Sequence, residues 1–388
     1  MIQSRKTMLV RLIEINKLGA VVFWRPDELV MLLGYLPCWG LSFLVVTLNG
    51  TPVLYVPEAE PQDILPKDIV VETYPWGILD CADPWQVLFE KIKQQLIKDA
   101  VQHKAVSFIR HIGGSAPCRM CGEQPPLPAS LICCLEKISN GGYADITQQL
   151  LKLYDYKTKE DIAGLKIAHR VAAKAVEKFY ECRRPGITEK EVAAEVEAAV
   201  QQTTGTTGVE FARAWAMIQS GQNTCDAGRY NRTSGKEIKL GELVLMEIGI
   251  CVNGYWADIT RTISSGNPTF LHEKLFDTVA MAQEKAIGVM RPGVPMAEVD
   301  FAARQHIAAA GWAHLYNHAL GHQVGFRYHD PGPVLSPHSM AVLEEGMVLT
   351  VEPGIYGKEV GGGVRIEDNV LITANGIELL SAYGKYTR

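Results

Sequence analysis

The stretch Leu243-Val-Leu-Met-Glu247-Ile-Gly-Ile-Cys-Val252-Asn253-Gly254-Tyr255-Trp-Ala-Asp258-Ile-Thr260-Arg-Thr262-Ile263 decides the reading of the fold. Two apolar runs rich in β-branched residues flank Asn-Gly, the dipeptide best suited to a two-residue hairpin turn. In the register that such a turn sets, Val252 faces Tyr255 and Glu247 faces Thr260. Directly opposed residues point to one side of a sheet, and Asp258 lies two residues from Thr260 on that side. Glu247 and Asp258 are therefore predicted to be diagonal neighbours. A carboxylate inside an apolar strand is costly to bury unless it is paired or bound to a cation. The plainer alternative is the solvated face of an edge strand.

Three further stretches concentrate polar chemistry downstream. The first is His318-Ala-Leu-Gly-His322-Gln-Val-Gly-Phe-Arg-Tyr-His329-Asp-Pro, which holds three of the chain's ten histidines. Neutral imidazole is the commonest nitrogen ligand of metals and can also donate to a developing oxyanion. The second is Val348-Leu-Thr-Val-Glu352-Pro-Gly, where a lone carboxylate ends an apolar strand. The third is Val364-Arg365-Ile366-Glu367-Asp368, in which Arg365 and Glu367 alternate with apolar residues and so share a face. Together these supply four carboxylates and one to three imidazoles, about the set that two neighbouring divalent ions need, with carboxylates bridging. Oxygen-rich ligation with one histidine suits manganese, cobalt or iron better than a structural zinc. Such a pair lowers the pKa of a bound water, and the hydroxide attacks a carbonyl or similar carbon.

The remainder of the chain frames these stretches. A length of 388 residues suggests two domains. Strands are predicted at 19–24, at 42–48 and 51–56 joined through Asn49-Gly50, at 68–74 and at 104–109, with a helix at 85–100. That alternation predicts an α/β first domain. Residues 29–48 are uncharged over about the length of a membrane span, but Gly34, Pro37, Gly40 and Ser42 punctuate them. They read as a helix end, a loop and a buried strand. Residues 113–128, rich in Gly, Pro and Cys, read as a loop. The character changes near residue 155, which divides the chain into domains 1–155 and 156–388. A long amphipathic helix at 159–181 stops near Pro185-Gly186. Thr188 and Glu191 form a capping box for a helix reaching about residue 202. Helices at 272–290 and 296–310 and strands at 347–351, 364–372 and 377–380 complete a mixed, α+β second domain.

Composition narrows the function. With 47% hydrophobic and 21% charged residues the chain is ordinary for a globular protein, and disorder, collagen and coiled coil are excluded. The 38 basic and 43 acidic residues give a net charge of -5, which argues against binding nucleic acid through a broad basic surface. Arg5, Lys6, Arg11, Glu14 and Lys17 interrupt the N-terminal apolar residues, so no export signal is expected there. Nine cysteines favour free thiols in a reducing compartment, and a cytoplasmic location is expected. Cys118-Arg-Met-Cys121 and Cys133-Cys134 are poorly spaced for a structural zinc site.

The order acid-x10-Asp, His-x6-His, Glu-Pro-Gly and Arg-x-Glu-Asp resembles the pita-bread metallopeptidases of family M24, which include methionine aminopeptidase, aminopeptidase P and prolidase, with creatinase as a metal-free relative. Residues 248–262 are similar to the prolidase stretch around the second ligand aspartate. Residues 26–35 look like the creatinase-type N-terminal domain, and residues 157–162 look like the entry to the catalytic domain. The resemblance thus covers the whole chain and implies a pita-bread catalytic domain behind a smaller α/β N-terminal domain. It implies metal ligation by Glu247, Asp258, His322, Glu352 and Glu367. It further implies substrate contact by His318 and His329, proton shuttling by Glu352 and orientation of the carboxylates by Arg365. Two divalent ions, manganese or cobalt before iron or zinc, a small peptide or small-molecule substrate with Xaa-Pro bonds foremost, and a homodimer follow from the same resemblance.

Two departures stand out. Glu247 occupies a position where the family has Asp, and the extra methylene moves the carboxylate by about 1.5 Å, against a tolerance of ~0.2 Å in metal–oxygen distances. After Ser220-Gly-Gln-Asn223, Ala227-Gly228 stands where the peptidases have Pro-His. These keep open an enzyme acting on a non-peptide C–N bond, or by elimination on a small zwitterion. A pita-bread domain that has lost its ligands and binds proteins is a third possibility.

Overall fold

The apolar runs of the N-terminal part become one five-stranded sheet. The computed structural model describes residues 1, 3–39, 41–76, 83–111, 129–182, 184–381, 383 and 384. It separates into two units, Met1–Tyr154 and Asp155–Arg388. In the first, α1 (Gln3–Ile15), β1 (Ala20–Phe23), α2 (Pro26–Leu33), β2 (Phe43–Thr47), β3 (Val53–Pro57), β4 (Val70–Tyr74), α3 (Pro84–Lys98), β5 (Val106–Ser107), α4 (Ala129–Glu136) and α5 (Thr147–Leu151) follow in order. The strand order is β4-β3-β2-β1-β5, with β4 and β5 joining in parallel at the two edges. The Asn49-Gly50 hairpin forms with residues 48–52 as its loop, since Pro52 has no N–H with which to extend the ladder. Leu88, Phe89, Ile92 and Leu96 recur at helical spacing on α3 and cover Val22, Phe43, Val45 and Val53 of the sheet. The uncharged run divides into a helix end, a connecting segment and a buried strand, because Gly34 ends α2 at φ 65° and β2 begins at Phe43. No helix among the described residues is long and apolar enough to cross a membrane. The expected loop at 113–128 and the pair Cys118 and Cys121 lie outside the described residues.

The second unit opens with α6 (Lys159–Glu181) and α7 (Glu189–Gln201), each started by a capping box, Thr158 with Asp161 and Thr188 with Glu191. They pack on an antiparallel sheet of β6 (Ala212–Ser220), β7 (Leu243–Val252) and β8 (Tyr255–Ser264). At the β7–β8 turn, Asn253 has φ 52° and Gly254 φ 89°, the two positive values a type I′ turn demands. The register pairs Val252 with Tyr255, Glu247 with Thr260 and Gly249 with Asp258, as the turn predicts. The strand β6 was not anticipated. It pairs along the whole of β7, which makes β7 the central strand and leaves Glu247 buried rather than on an edge.

The chain continues through α8 (Phe270–Val289) and α9 (Met296–Ala309) to β9 (Val348–Val351), β10 (Gly354–Gly357), β11 (Gly362–Arg365), β12 (Asp368–Thr373) and β13 (Gly376–Leu379). Leu275, Val279, Ala282, Val299 and Ala303 of the two helices share a core with Leu349, Val351, Val364 and Val370. The single strand expected over 364–372 is broken at Ile366-Glu367. Arg365 pairs with Gly354 in the β10–β11 ribbon, whereas Asp368 pairs with Val351 in the sheet β13-β12-β9. Between them the Glu367 N–H turns away and donates to the Thr260 carbonyl of β8, 3.1 Å away.

Candidate active site

The hairpin β7–β8 delivers Glu247 and Asp258, the break before β12 delivers Glu367, and the end of β9 delivers Glu352. The histidine segment reaches them by lying along β9. Thr350 N–H donates to the His322 carbonyl and Glu352 N–H to that of Leu320, both at 2.8 Å. Gly321 permits this approach, because a Cβ there would stand 2.0 Å from the Thr350 carbonyl oxygen.

His322 presents its ring in one tautomer. Its Nδ1 lies 2.9 Å from the Gln323 carbonyl, which can only accept, so Nδ1 carries the proton. The Nε2 lone pair then faces Asp258 Oδ2 at 3.4 Å and Glu352 Oε1 at 3.7 Å. Burial lowers the pKa of His322 to about 4, so the ring is neutral and able to ligate at pH 7. Asp258 is held from behind. The Asn369 amide brackets its backbone, accepting from its N–H at 3.2 Å and donating to its carbonyl at 2.7 Å. Its buried Oδ1 accepts no hydrogen bond.

The carboxylates crowd one another. Burial, reinforced by Glu367 and Glu352, pushes the Asp258 carboxyl well above the ordinary carboxylate range. Burial and then Glu367 do the same to Glu352. Glu367 is raised by burial and partly restored by Arg365. Its Oε2 accepts from the Thr260 hydroxyl at 2.7 Å, and that hydroxyl accepts from Arg365 Nε at 3.1 Å. Among the described residues, two sets of donor atoms lie within 4.8 Å of one another: Asp258, His322 and His329, and His322, Glu352 and Glu367. His322 belongs to both. An unpartnered buried carboxylate oxygen, an imidazole lone pair and mutually repelling carboxylates fit a divalent cation, which would offset the repulsion.

Glu247 and His318 stand outside those two sets. Glu247 accepts from the Tyr328 hydroxyl at Oε1, and the Arg365 guanidinium lies against its Oε2. His318 has Nδ1 2.8 Å from the Ala319 carbonyl and Nε2 3.0 Å from the Tyr356 hydroxyl. By the tautomer argument used for His322, Nε2 accepts from Tyr356. Tyr356 in turn accepts from Arg365 Nη1 at 3.1 Å. Burial lowers His318 to about 4 as well. His329 lies with its ring 3.8 Å from that of His322 and its Nε2 4.0 Å from Asp258 Oδ2. Gly228 is exposed, and its N–H donates to Asp226 Oδ1 at 2.9 Å, so the turn offers no imidazole of its own.

Four polar side chains described above went unassigned in the sequence: Thr260, Tyr328, Tyr356 and Asn369. Thr260 had a signal, since the hairpin register sets it opposite Glu247. Tyr328 sits inside the histidine segment, and nothing local marks Tyr356. Cys133 and Cys134 are exposed free thiols and join no metal-ligating set among the described residues.

This donor set, on a fold of two helix pairs and mixed sheets, fits a metal-dependent enzyme, and comparison with known proteins gives its class. The profile of metallopeptidase family M24 matches residues 163–374. The prolidase from Pyrococcus furiosus is 30% identical, with 97% of this chain and 100% of that chain covered and a TM-score of 0.77. The prolidase from Pyrococcus horikoshii OT3 is 28% identical, with 99% of each chain covered and a TM-score of 0.79. An uncharacterized peptidase of Staphylococcus haemolyticus is 30% identical over 345 residues, 89% of either chain. The chain belongs to metallopeptidase family M24, and its second unit carries the pita-bread fold of that superfamily.

Proposed function

We propose that the chain hydrolyses Xaa-Pro dipeptides or N-terminal Xaa-Pro peptide bonds, using two divalent ions, manganese or cobalt foremost, held by Glu247, Asp258, His322, Glu352 and Glu367. The observation that carries this reading is the convergence of Asp258, His322, Glu352 and Glu367 from four separate segments. The substrate class is drawn from the two archaeal prolidases.

When bound, the ions supply a water nucleophile at neutral pH and polarise the scissile carbonyl. The chain's own groups do the rest. Glu352 has a side chain 16% exposed, against 1% for Asp258, so it is the carboxylate placed to exchange a proton with an arriving substrate. In that place it can take a proton from the nucleophile and pass it to the leaving amine. Arg365 and Thr260 orient Glu367 and Glu247. His329 is the imidazole available to a developing oxyanion. His318 reaches substrate only by exchanging its bond with Tyr356, and until then it fixes the Tyr356 hydroxyl against Arg365. We also infer a homodimer working in the cytoplasm; the exposed thiols of Cys38, Cys133 and Cys134 support a reducing compartment.

The test is turnover of Xaa-Pro dipeptides, N-terminal Xaa-Pro peptides and matched Xaa-Ala controls by protein loaded with manganese or cobalt. Proline-selective cleavage is expected, and no turnover by the loaded protein overturns the reading. Gly228, with no side chain where a peptide-contacting imidazole is usual, favours one second reading: attack on a non-peptide C–N bond of a small zwitterion. Creatine-like and ectoine-like compounds added to the same panel separate the two.

A further inference from the structure

We propose that Tyr230 contacts the substrate, its phenolic hydroxyl donating to the free carboxylate of a dipeptide, so that the chain prefers dipeptides to longer N-terminal Xaa-Pro peptides. The inference rests on the hydrolase reading above and narrows its substrate.

Tyr230 stands on a turn that is tied down. Asp226 Oδ1 accepts from the Gly228 N–H at 2.9 Å, and the Asp226 carbonyl accepts from the Arg229 N–H at 3.0 Å. From the end of β6, the buried side-chain amide of Gln219 donates to the Arg229 carbonyl at 2.8 Å and also to the Tyr230 carbonyl. The ring reaches the site. The Arg365 guanidinium carbon lies 5.8 Å from its centroid, and Arg365 in turn lies against Glu247. Burial and then Asp258, with Glu352 and Glu367 behind it and Arg365 opposing, push the phenol up to about 12, so it keeps its proton at neutral pH.

The phenols of Tyr328 and Tyr356 are engaged, donating to Glu247 and to His318. The hydroxyl of the half-buried Tyr230 has no hydrogen-bond partner among the described residues. A donor that an arriving substrate strips of water needs an acceptor, and leaving it unpaired costs binding. The crowded acids of the site repel an incoming carboxylate, so such a group must be met by donors and positive charge. The turn supplies both. Arg229 and Arg232 flank Tyr230, are exposed and join no ion pair among the described residues, against the single acid Asp226. A neutral carbonyl would gain less here, because a hydrogen bond to a charged acceptor is about twice as strong.

Tyr230→Phe removes the hydroxyl and leaves the ring beside Arg365. The experiment compares manganese-loaded wild type and variant on Ala-Pro, Ala-Pro amide and Ala-Pro-Ala. Calorimetry reads the affinity for an Ala-Pro analogue with a reduced peptide bond. Wild type is expected to favour Ala-Pro. In Tyr230→Phe the KM for Ala-Pro and the Kd of the analogue should rise roughly tenfold or more, the worth of one hydrogen bond to a charge, with kcat little changed. Ala-Pro amide, which lacks the charge, should lose little. The melting temperature and bound manganese should match wild type, because the hydroxyl holds nothing within the protein. Wild type that favours Ala-Pro-Ala, an unchanged KM and Kd in Tyr230→Phe, an equal loss on Ala-Pro amide, or a lowered melting temperature would each overturn the proposal while leaving a hydrolase in place. No turnover of any of the three peptides by manganese-loaded or cobalt-loaded wild type would overturn the functional reading itself.

Discussion

Asp27 and Glu28 at the start of α2, and Asp258, Glu352 and Glu367 in the second unit, are carboxylates withdrawn from water in very different surroundings. In the first unit, Arg25 stands 3.5 Å from Asp27 and 3.1 Å from Glu28. Tyr154 donates to Asp27, and Glu28 accepts from the N–H groups of Trp24 and Arg25 at the helix start, both at 2.9 Å. Burial raises Glu28 only to about 6, because Arg25 opposes it. At the site of the second unit four carboxylates share one guanidinium, Arg365, which lies against Glu247 and also offsets Glu367. The histidines among them are neutral at pH 7. Buried acid with its own countercharge is part of the fold. Buried acid in excess of the chain's cations is a place prepared for a cation from solution.

Removing one member of the excess should have the largest effect. Asp258→Asn is expected to lower kcat/KM on the order of 10⁴-fold or more, as loss of one member of a catalytic unit does, and to weaken manganese binding. Metal-free Asp258→Asn should melt no lower than metal-free wild type, because it relieves repulsion. A variant that keeps its metal and its turnover would break the comparison.

In the first unit the opposite holds. Arg25→Met leaves two buried carboxylates without their countercharge and is expected to cost about 3–5 kcal/mol in denaturant unfolding. Manganese affinity should be unchanged. Next in size, manganese at about a hundred times its Kd should stabilise the second unit by roughly 2.7 kcal/mol, and a chelator should reverse this. A thermal transition indifferent to the ion would show that the crowded carboxylates are not its site.

The smallest effect is a pH dependence that sharpens the contrast. Asp258 has a folded pKa raised above its ordinary 3.8. The folded metal-free protein therefore binds the extra proton, and the stability gained from it is fully present below 3.8 and lost as pH rises through the raised value. Asparagine titrates nothing at this position. Any stability advantage of metal-free Asp258→Asn over wild type should consequently shrink as the pH falls through that window. An advantage independent of pH would remove charge repulsion as its cause.

Much of this site was legible because its parts are local. Asn253-Gly254 sets a register, and a register decides which side chains share a face, so the pairing of Glu247 with Thr260 followed from the turn. The starts of α6 and α7 were legible for the same reason, since a capping box lies within four residues. The strand β6 was not legible. Its alternation runs through alanines, weak strand formers, and it exists because β7 offers an edge to pair with. Nor was the break at Ile366-Glu367, where an unbroken strand pattern is divided between two partners, Gly354 and Val351.

The sequence alone determined the donor types, their spacing within each segment and the membership of the catalytic unit in family M24. Tertiary structure decided which donors meet. Tyr328 and Glu247 are 81 residues apart, and no periodicity places a phenol on that carboxylate. Whether Glu247 meets Tyr328 and Arg365 is decided by packing between segments. Local propensities set faces and turns, whereas such distances are set only when separate sheets and loops close on one another.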